Sequence, residues 1–343
     1  MLKHERRSNK NGPAIALRNY MRNKKNMRKS IFPKLPLLLE TKTLIATTCD
    51  TSELRNTVLV GCQHLLESTG SLVETFIELG LPAGQIFLCG KSYSTNSQVS
   101  EKLSELGVQL TLPNMDSIPG SFSEGFNDDI RKMWGMATKA VMAKSINQIL
   151  ILDDGARSIS TMPENLQRLC RVAAVEQTTY GIREASESDR KTTTVLVAAS
   201  AAKKILESPM IADTITRKIG KYGFLHGQQR RCGVVGMGAI GTAVATKLLE
   251  MGHLVQSFDS KDASASVNNI NNLIRESDII FGCTGFDISE YFTNLNSNRR
   301  TNLRKILISC SSEDKEFNQL ISKFGVNLNA LRFNDDLQID CKG

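Results

Sequence analysis

The sequence predicts an α/β protein made of two doubly wound parallel-sheet domains. Three observations carry this expectation. Short apolar runs that suit buried strands alternate with helical patterns along most of the chain. One strand–helix–strand stretch, Arg231 to Asp259, holds glycines at Gly236, Gly238 and Gly241. The 343 residues suffice for two hydrophobic cores.

Taken in order, Lys42 to Cys49 reads as a strand-like run rich in β-branched residues, and Val58 to Gly61 as a second. Leu65 to Leu79 has helical spacing, and Gly80 and Pro82 end it. Gln85 to Cys89 is a strand, Asn96 to Leu106 a helix closed by Gly107, and Val108 to Leu112 a further strand. Pro113 to Asn127 is rich in Pro, Ser, Gly and Asp and reads as a loop. Ile130 to Ala143, with Trp134, reads as a helix; Gln148 to Leu152 is a buried strand that runs into Asp153-Asp154-Gly155. Glu164 to Ala174 reads as helix, Thr194 to Ala198 as strand, and 201 to 223 as helix. After Asp259 come a helix at Asn269 to Arg275, strands at Asp278 to Cys283 and Lys305 to Ser309, and a helix at Lys315 to Phe324.

The glycine stretch has a strand at Cys232 to Val235, a helix at Ala239 to Met251 stopped by Gly252, and a strand at Leu254 to Phe258. Gly236 permits the tight turn, Gly238 lets backbone approach a pyrophosphate, and Gly241 lets helix and strand pack closely. The helix N-terminus, from Ala239 and Ile240, offers amides and a positive dipole end to phosphate. Asp259 stands where a carboxylate accepts hydrogen bonds from an adenosine ribose. It would repel a 2′-phosphate, so the unit reads as NAD-binding rather than NADP-binding. This is the Rossmann-like signature.

The net charge of +8 is uneven. Residues 1 to 34 hold eleven Lys and Arg against Glu5 alone, a local +10. The rest holds 32 basic and 34 acidic side chains, so the body presents no expected nucleic-acid surface. The tail fits a solvated arm, an organelle presequence, or an arm for acidic surfaces or nucleic acid. Cysteines 49, 62, 89, 170, 232, 283, 310 and 341 show no C-x-x-C and no metal-ligand spacing. They read as reduced thiols, no metal is expected, and no apolar run reaches membrane-span length. The expected location is cytoplasmic, with organelle import through residues 1–34 as the alternative. The expected segments are a basic tail at 1–36, a substrate-type domain at 37–215, an NAD domain at 216–325 and an extension at 326–343.

Other residues could carry chemistry. Asp153-Asp154-Gly155 follows a strand, where open α/β sheets bind ligands, though it also fits a turn with a helix cap. Lys203 and Glu207 lie one turn apart, and Lys203-Lys204 also fits a solvated helix face. His64 alone fits a half-exposed histidine as well as a proton carrier.

Five stretches together resemble the adenosylhomocysteinase (S-adenosylhomocysteine hydrolase) family, over residues 40 to 340. GCQHLLESTGSLVETFIELG at 61–80 resembles its histidine-bearing helix, and ILILDDG at 149–155 its strand and acidic turn. VEQTTYG at 175–181 resembles its Glu-Glu-Thr-Thr-Thr-Gly run, and SAAKKILES at 200–208 its Lys-Ser-Lys-Phe-Asp segment. Arg231 to Asp259, with DIIFGCTG at 278–285, resembles its NAD domain.

The resemblance implies hydrolysis of a thioether nucleoside through transient 3′-oxidation, elimination of the thiol, addition of water and re-reduction, with NAD as cofactor. It matches Lys203 to the lysine near the 3′-hydroxyl, and Glu207 to a family aspartate. It matches Asp154 to an active-site aspartate and His64 to the histidine that transfers protons at C5′. Thr178 and Thr179 match threonines that contact NAD; with Gly236, Gly238, Ala239, Ile240, Gly241, Asp259, Thr284 and Gly285 they form the expected cofactor set. Partners implied are a nucleoside thioether and a second copy of the chain.

Departures pull the other way. Gln177 stands in place of a catalytic glutamate, Leu66 and Ser68 in place of adenosine-recognising residues, and Cys310 and Glu313 in place of an Asn and a His. The chain stops at Cys341-Lys342-Gly343, where the family continues through a His-Pro segment and a Lys/Tyr tail. Two alternatives therefore stand beside the hydrolase: a catalytically impaired NAD-binding regulatory homologue, and an NAD-dependent dehydrogenase of another small substrate.

Overall fold

The computed structural model describes residues 30–112, 122–187, 192–261, 265–267, 269–293, 305–311 and 315–323. The basic stretch through residue 29, Glu313 and the expected extension from 326 lie outside these. Two compact units divide between Ala198 and Ala199.

The first unit is a six-stranded, all-parallel sheet in the order β3-β2-β1-β4-β5-β6. Its strands are β1 Thr57–Gln63, β2 Ile86–Gly90, β3 Gln109–Thr111, β4 Gln148–Asp153, β5 Arg171–Glu176 and β6 Thr193–Leu196. Every residue of β1 is buried. Its side chains alternate between two cores. Val58, Val60 and Cys62 join Met133 and Trp134 of helix Phe122–Lys144 on one face. On the other, Leu59 joins Leu65, Val73 of helix Glu67–Glu78, and Val99 and Leu103 of helix Ser97–Glu105. A strand covered on both faces needs apolar residues at both parities, so its sequence shows a run and not an alternation.

The second unit is a four-stranded parallel sheet in the order β10-β9-β7-β8. Its strands are β7 Arg231–Val235, β8 Leu254–Phe258, β9 Ile279–Gly282 and β10 Ile306–Ser309. Helices Ser208–Lys221 and Ala239–Glu250 cover one face through Ala212, Ile219, Val244 and Leu248. Leu273 and Ile274 of helix Ile270–Glu276 cover the other. Both units are thus doubly wound α/β sheets, as the sequence predicts.

Four expectations change. Lys42–Cys49 belongs to a helix, Pro36–Thr48. Pro36 opens it, and the Thr43, Thr47 and Thr48 hydroxyls bond back to carbonyls one turn earlier, so β-branched residues are accommodated. Lys42 is buried and ion-paired to Glu78 at 2.5 Å, which fixes this helix to its neighbour. The expected helix Glu164–Ala174 ends at Leu169, and Arg171–Glu176 becomes β5, in register with β4 from Gln148↔Arg171 to Asp153↔Glu176. Helix Phe122–Lys144 begins inside the stretch Pro113–Asn127 that reads as a loop in the sequence.

The tail is the fourth. Phe32 is only 4% exposed and packs where Gly70 leaves no room for a Cβ; its ring would lie 2.3 Å from one. Ser30 Oγ and the Ile31 amide donate to Glu74 at 2.6 and 2.9 Å, and Ser71 Oγ donates to the Pro33 carbonyl at 2.7 Å. Residues 30–33 of the expected tail therefore pack on the body.

Candidate functional site

Each sheet has a point where the strand order reverses. In open parallel sheets ligands bind outside the carboxyl ends of the strands there, since neighbouring connections leave in opposite directions and open a crevice.

In the second unit the reversal lies at β7, between β8 on one side and β9 on the other. The glycine loop leaves β7 at this place. Gly236 has φ +95°, and a Cβ on it would lie 2.8 Å from the Cys283 carbonyl carbon and oxygen. A Cβ on Gly241 would lie 1.8 Å from the Gly236 oxygen. Both glycines are thus demanded by the fold itself. Gly238 differs: it has φ −65°, and a Cβ there would meet no heavy atom within 4 Å. It caps helix Ala239–Glu250, whose first-turn amides, including Ala239 and Ile240, have no carbonyl one turn back within the helix. Asp259 follows β8 and reaches back to the loop: Oδ2 accepts from the Met237 amide at 2.7 Å and Oδ1 from Lys261 at 2.8 Å. Its remaining lone pairs can accept from a ribose.

The opposite wall is Thr284-Gly285, just after β9. The Thr284 hydroxyl donates to the Phe286 carbonyl at 2.8 Å and accepts from the Phe286 amide at 3.1 Å. Gly285 has φ +68°, and its amide donates to Glu316 at 2.9 Å. Glu316 is fully buried and also accepts from Ser309 and Ser311, each at 2.5 Å. This carboxylate holds the ends of β9 and β10, and sequence reasoning missed it.

In the first unit the order 3-2-1-4-5-6 reverses between β1 and β4. His64 follows β1, and Asp154 follows β4. Their side chains meet, Nε2 to Oδ2 at 3.7 Å. The other imidazole nitrogen hydrogen-bonds the Ser94 hydroxyl, and the second Asp154 oxygen accepts from Lys91, which is buried just past β2. Neither Lys91 nor Ser94 was singled out by the sequence, although Lys91 directly after an apolar strand was the available sign.

Gln63, the last residue of β1, donates to the Leu152 carbonyl at 2.9 Å and to Gln177 Oε1 at 2.8 Å. An amide pair therefore spans the strand ends where the resemblance would place a carboxylate. Thr178, expected at a cofactor, is engaged inside the unit: its hydroxyl donates to Glu176 at 2.7 Å and accepts from the Gly181 amide at 2.9 Å. Thr179 begins helix Thr179–Glu187. Glu176 is fully buried and also accepts from the amides of Gly155, Ala156 and Thr178 at 3.1, 2.8 and 2.7 Å. Beside it Asp153, fully buried, is pushed up to about 6, first by burial and then by the Glu176 charge, against the Ile159 amide that lowers it. Burial, with the Asp153 charge behind it, likewise pushes the Cys62 thiol well above its ordinary value.

Lys203 and Glu207 form a mutual ion pair at 2.7 Å across a π-helical turn, Lys203–Glu207, that leads into helix Ser208–Lys221. Such turns recur at functional positions. Among the described residues no group of three or more His, Cys, Asp or Glu side chains is placed to hold a metal. No described helix is long and apolar enough to cross a membrane.

No protein-family profile matches the chain. Two Mycobacterium tuberculosis proteins, from different strains and both described as uncharacterized, are 26% identical over 263 residues, 76% of this chain and 51% of theirs. The chain thus spans about half the length of these curated relatives. Among solved structures, a dipicolinate synthase from Bacillus halodurans is 12% identical, with a TM-score of 0.39 over 79% of this chain and 87% of that one. A 2-hydroxyacid dehydrogenase from Ketogulonicigenium vulgare is 13% identical, with a TM-score of 0.38 over 79% and 77%. An NAD-dependent formate dehydrogenase from Staphylococcus aureus, in complex with NAD, is 13% identical, with a TM-score of 0.37 over 78% of each chain. At these TM-scores the likenesses decide neither ligand nor reaction; the fold assignment rests on the two parallel sheets.

Proposed function

We propose that the second unit binds NAD and that the chain is an NAD-using enzyme of a small hydroxylated substrate. One observation carries this: the glycine loop sits at a strand-order reversal, opens free space only at Gly238, and is tied to the carboxylate of Asp259. A pyrophosphate fits the Gly238 opening and the helix amides, and Asp259 fits an unphosphorylated ribose. NAD, when bound, supplies the acceptor for a hydride from a substrate carbinol.

The finer reading is an adenosylhomocysteinase-like hydrolase of S-adenosylhomocysteine or a related thioether nucleoside. In it Lys203 takes the substrate hydroxyl proton, and Glu207 holds the lysine. His64, oriented by Asp154 and Ser94, exchanges a proton with the departing thiol. Support for this reading is the order and spacing of the family-like stretches, together with the meeting of His64 and Asp154. The dehydrogenase alternative needs only the hydride step and is the simpler use of the same groups. A third reading, an NAD-binding homologue without turnover, is favoured by the neutral Gln63–Gln177 pair.

Calorimetric titration with NAD and NADP tests the binding, with NAD expected to bind tighter; equal affinity would overturn the role given to Asp259. Incubation with S-adenosylhomocysteine then separates the readings. NADH absorbance with thiol release supports the hydrolase, and absorbance without thiol supports the dehydrogenase. Binding without either leaves the homologue.

A further inference from the structure

We propose that Cys283 and Cys310 form a redox-closable pair under the glycine loop, a modification site for a peroxide-class oxidant. The proposal goes beyond nucleotide binding and does not depend on it.

β9 and β10 run parallel, with Gly282 opposite Ser309 as the last register pair. The next residues, Cys283 and Cys310, therefore lie side by side. The Cys310 amide donates to the Gly282 carbonyl at 2.9 Å, which holds the two strand ends together at this point. Both are free, half-buried, and packed on the same apolar cluster. Neighbouring parallel strands put such Cα atoms about 4.8 Å apart, inside the span of about 4.4–6.8 Å that a disulfide bridges. The strands end here, so both residues can adjust.

Cys62 and Cys89 supply an internal contrast. They face each other in register within β1 and β2, yet both are 0% exposed. An oxidant in solution reaches the first pair and not the second.

The chemistry balances. The Cys283 thiolate attacks one peroxide oxygen; the S–O bond forms, the O–O bond breaks, and the leaving hydroxide takes a proton to become water. Cys310 loses its proton and attacks the oxidised sulfur; the S–S bond forms and the hydroxyl departs as a second water. Two thiols are oxidised and one peroxide is reduced. The neighbouring Cys283 thiol and burial both raise Cys310 well above the ordinary thiol value, so Cys310 is placed as the resolving partner.

The cross-link bears on the loop because Cys283 is its floor. A Cβ on Gly236 would lie 2.8 Å from the Cys283 carbonyl group, and one on Gly241 3.3 Å from the Cys283 Cβ. Tying Cys283 to Cys310 removes freedom from atoms against which both glycines pack.

The experiment treats the full chain with hydrogen peroxide, blocks remaining thiols by alkylation, and digests with trypsin without reduction. Tryptic peptides Glu276–Arg299 and Ile306–Lys315 each carry one cysteine. They are expected as one linked species, lighter by two hydrogens than their sum, absent from Cys283→Ser and from Cys310→Ser, and split by dithiothreitol. Amide exchange over residues 236–241 is expected to slow severalfold on oxidation and to recover on reduction. Oxidation of exposed Cys49 without the linked peptide, or closure of Cys62–Cys89 instead, overturns the pair. A linked peptide with unchanged exchange overturns its connection to the loop.

Discussion

The three loop glycines are expected to respond to substitution in opposite ways, because only one of them faces empty space. At Gly241, alanine puts a Cβ 1.8 Å from the Gly236 oxygen, and backbone has to move. Overpacking of this kind costs about 1–3 kcal/mol or more. At Gly236, alanine meets Cys283 backbone at 2.8 Å and sits at φ +95°, adding about 1–2 kcal/mol of left-handed strain. At Gly238 neither cost exists. Alanine there loses roughly 1 kcal/mol as a poorer helix cap and regains about 0.4–1 kcal/mol through the stiffer unfolded chain, for a net near zero. Valine there fills the opening assigned to the pyrophosphate. Urea unfolding and calorimetric NAD titration of Gly236→Ala, Gly238→Val and Gly241→Ala separate these effects. Gly238→Val should unfold within about 1 kcal/mol of the parent and bind no NAD. Equal destabilisation of all three, or full NAD affinity in Gly238→Val, would refute the reasoning.

Removing residues 1–29 should leave stability unchanged, whereas removing 1–34 should cost about 3–5 kcal/mol, since Phe32 leaves the core; thermal unfolding of both truncations decides it. Asp153 keeps its proton to about pH 6 in the folded chain and to about pH 4 unfolded. Its stabilising protonation is therefore complete below about pH 4 and lost as pH rises through about 6, a difference of about 3 kcal/mol. Asp153→Asn should flatten that part of the urea midpoint–pH curve, and an unchanged curve would assign the titration elsewhere. Gln177→Glu can still accept from Gln63, so it should fold normally; if only that carboxylate was lost, thiol release from S-adenosylhomocysteine should rise. Lys203→Ala should abolish NADH formation without weakening NAD binding, and retained NADH formation would remove Lys203 from proton transfer.

Much of the fold was legible because strands buried on both faces must be continuous apolar runs, as in TVLVGCQ and QILILD. The glycine loop was legible for a related reason. Gly236 takes a left-handed conformation that other residues adopt only at a cost, and Gly236 and Gly241 stand where a side chain cannot fit. Helix Pro36–Thr48 was misread because local propensity favours a strand, while packing of Lys42 against Glu78 favours the helix. Arg171–Glu176 was misread because a six-residue strand is defined by the partner it lies beside.

The site divides in the same way. The sequence by itself determined the glycine spacing of the loop, the acidic residue that ends the following strand and an α/β frame, since each is a local pattern. Only the tertiary structure decided that Lys91 and Ser94 join His64 and Asp154, and that Glu176 and Glu316 hold the strand ends from within. It also decided that Cys283 lies beside Cys310. These pairings join residues far apart along the chain, from 21 between Gly155 and Glu176 to 63 between Lys91 and Asp154. Strand order and register create them, and neither is written in any local stretch of sequence.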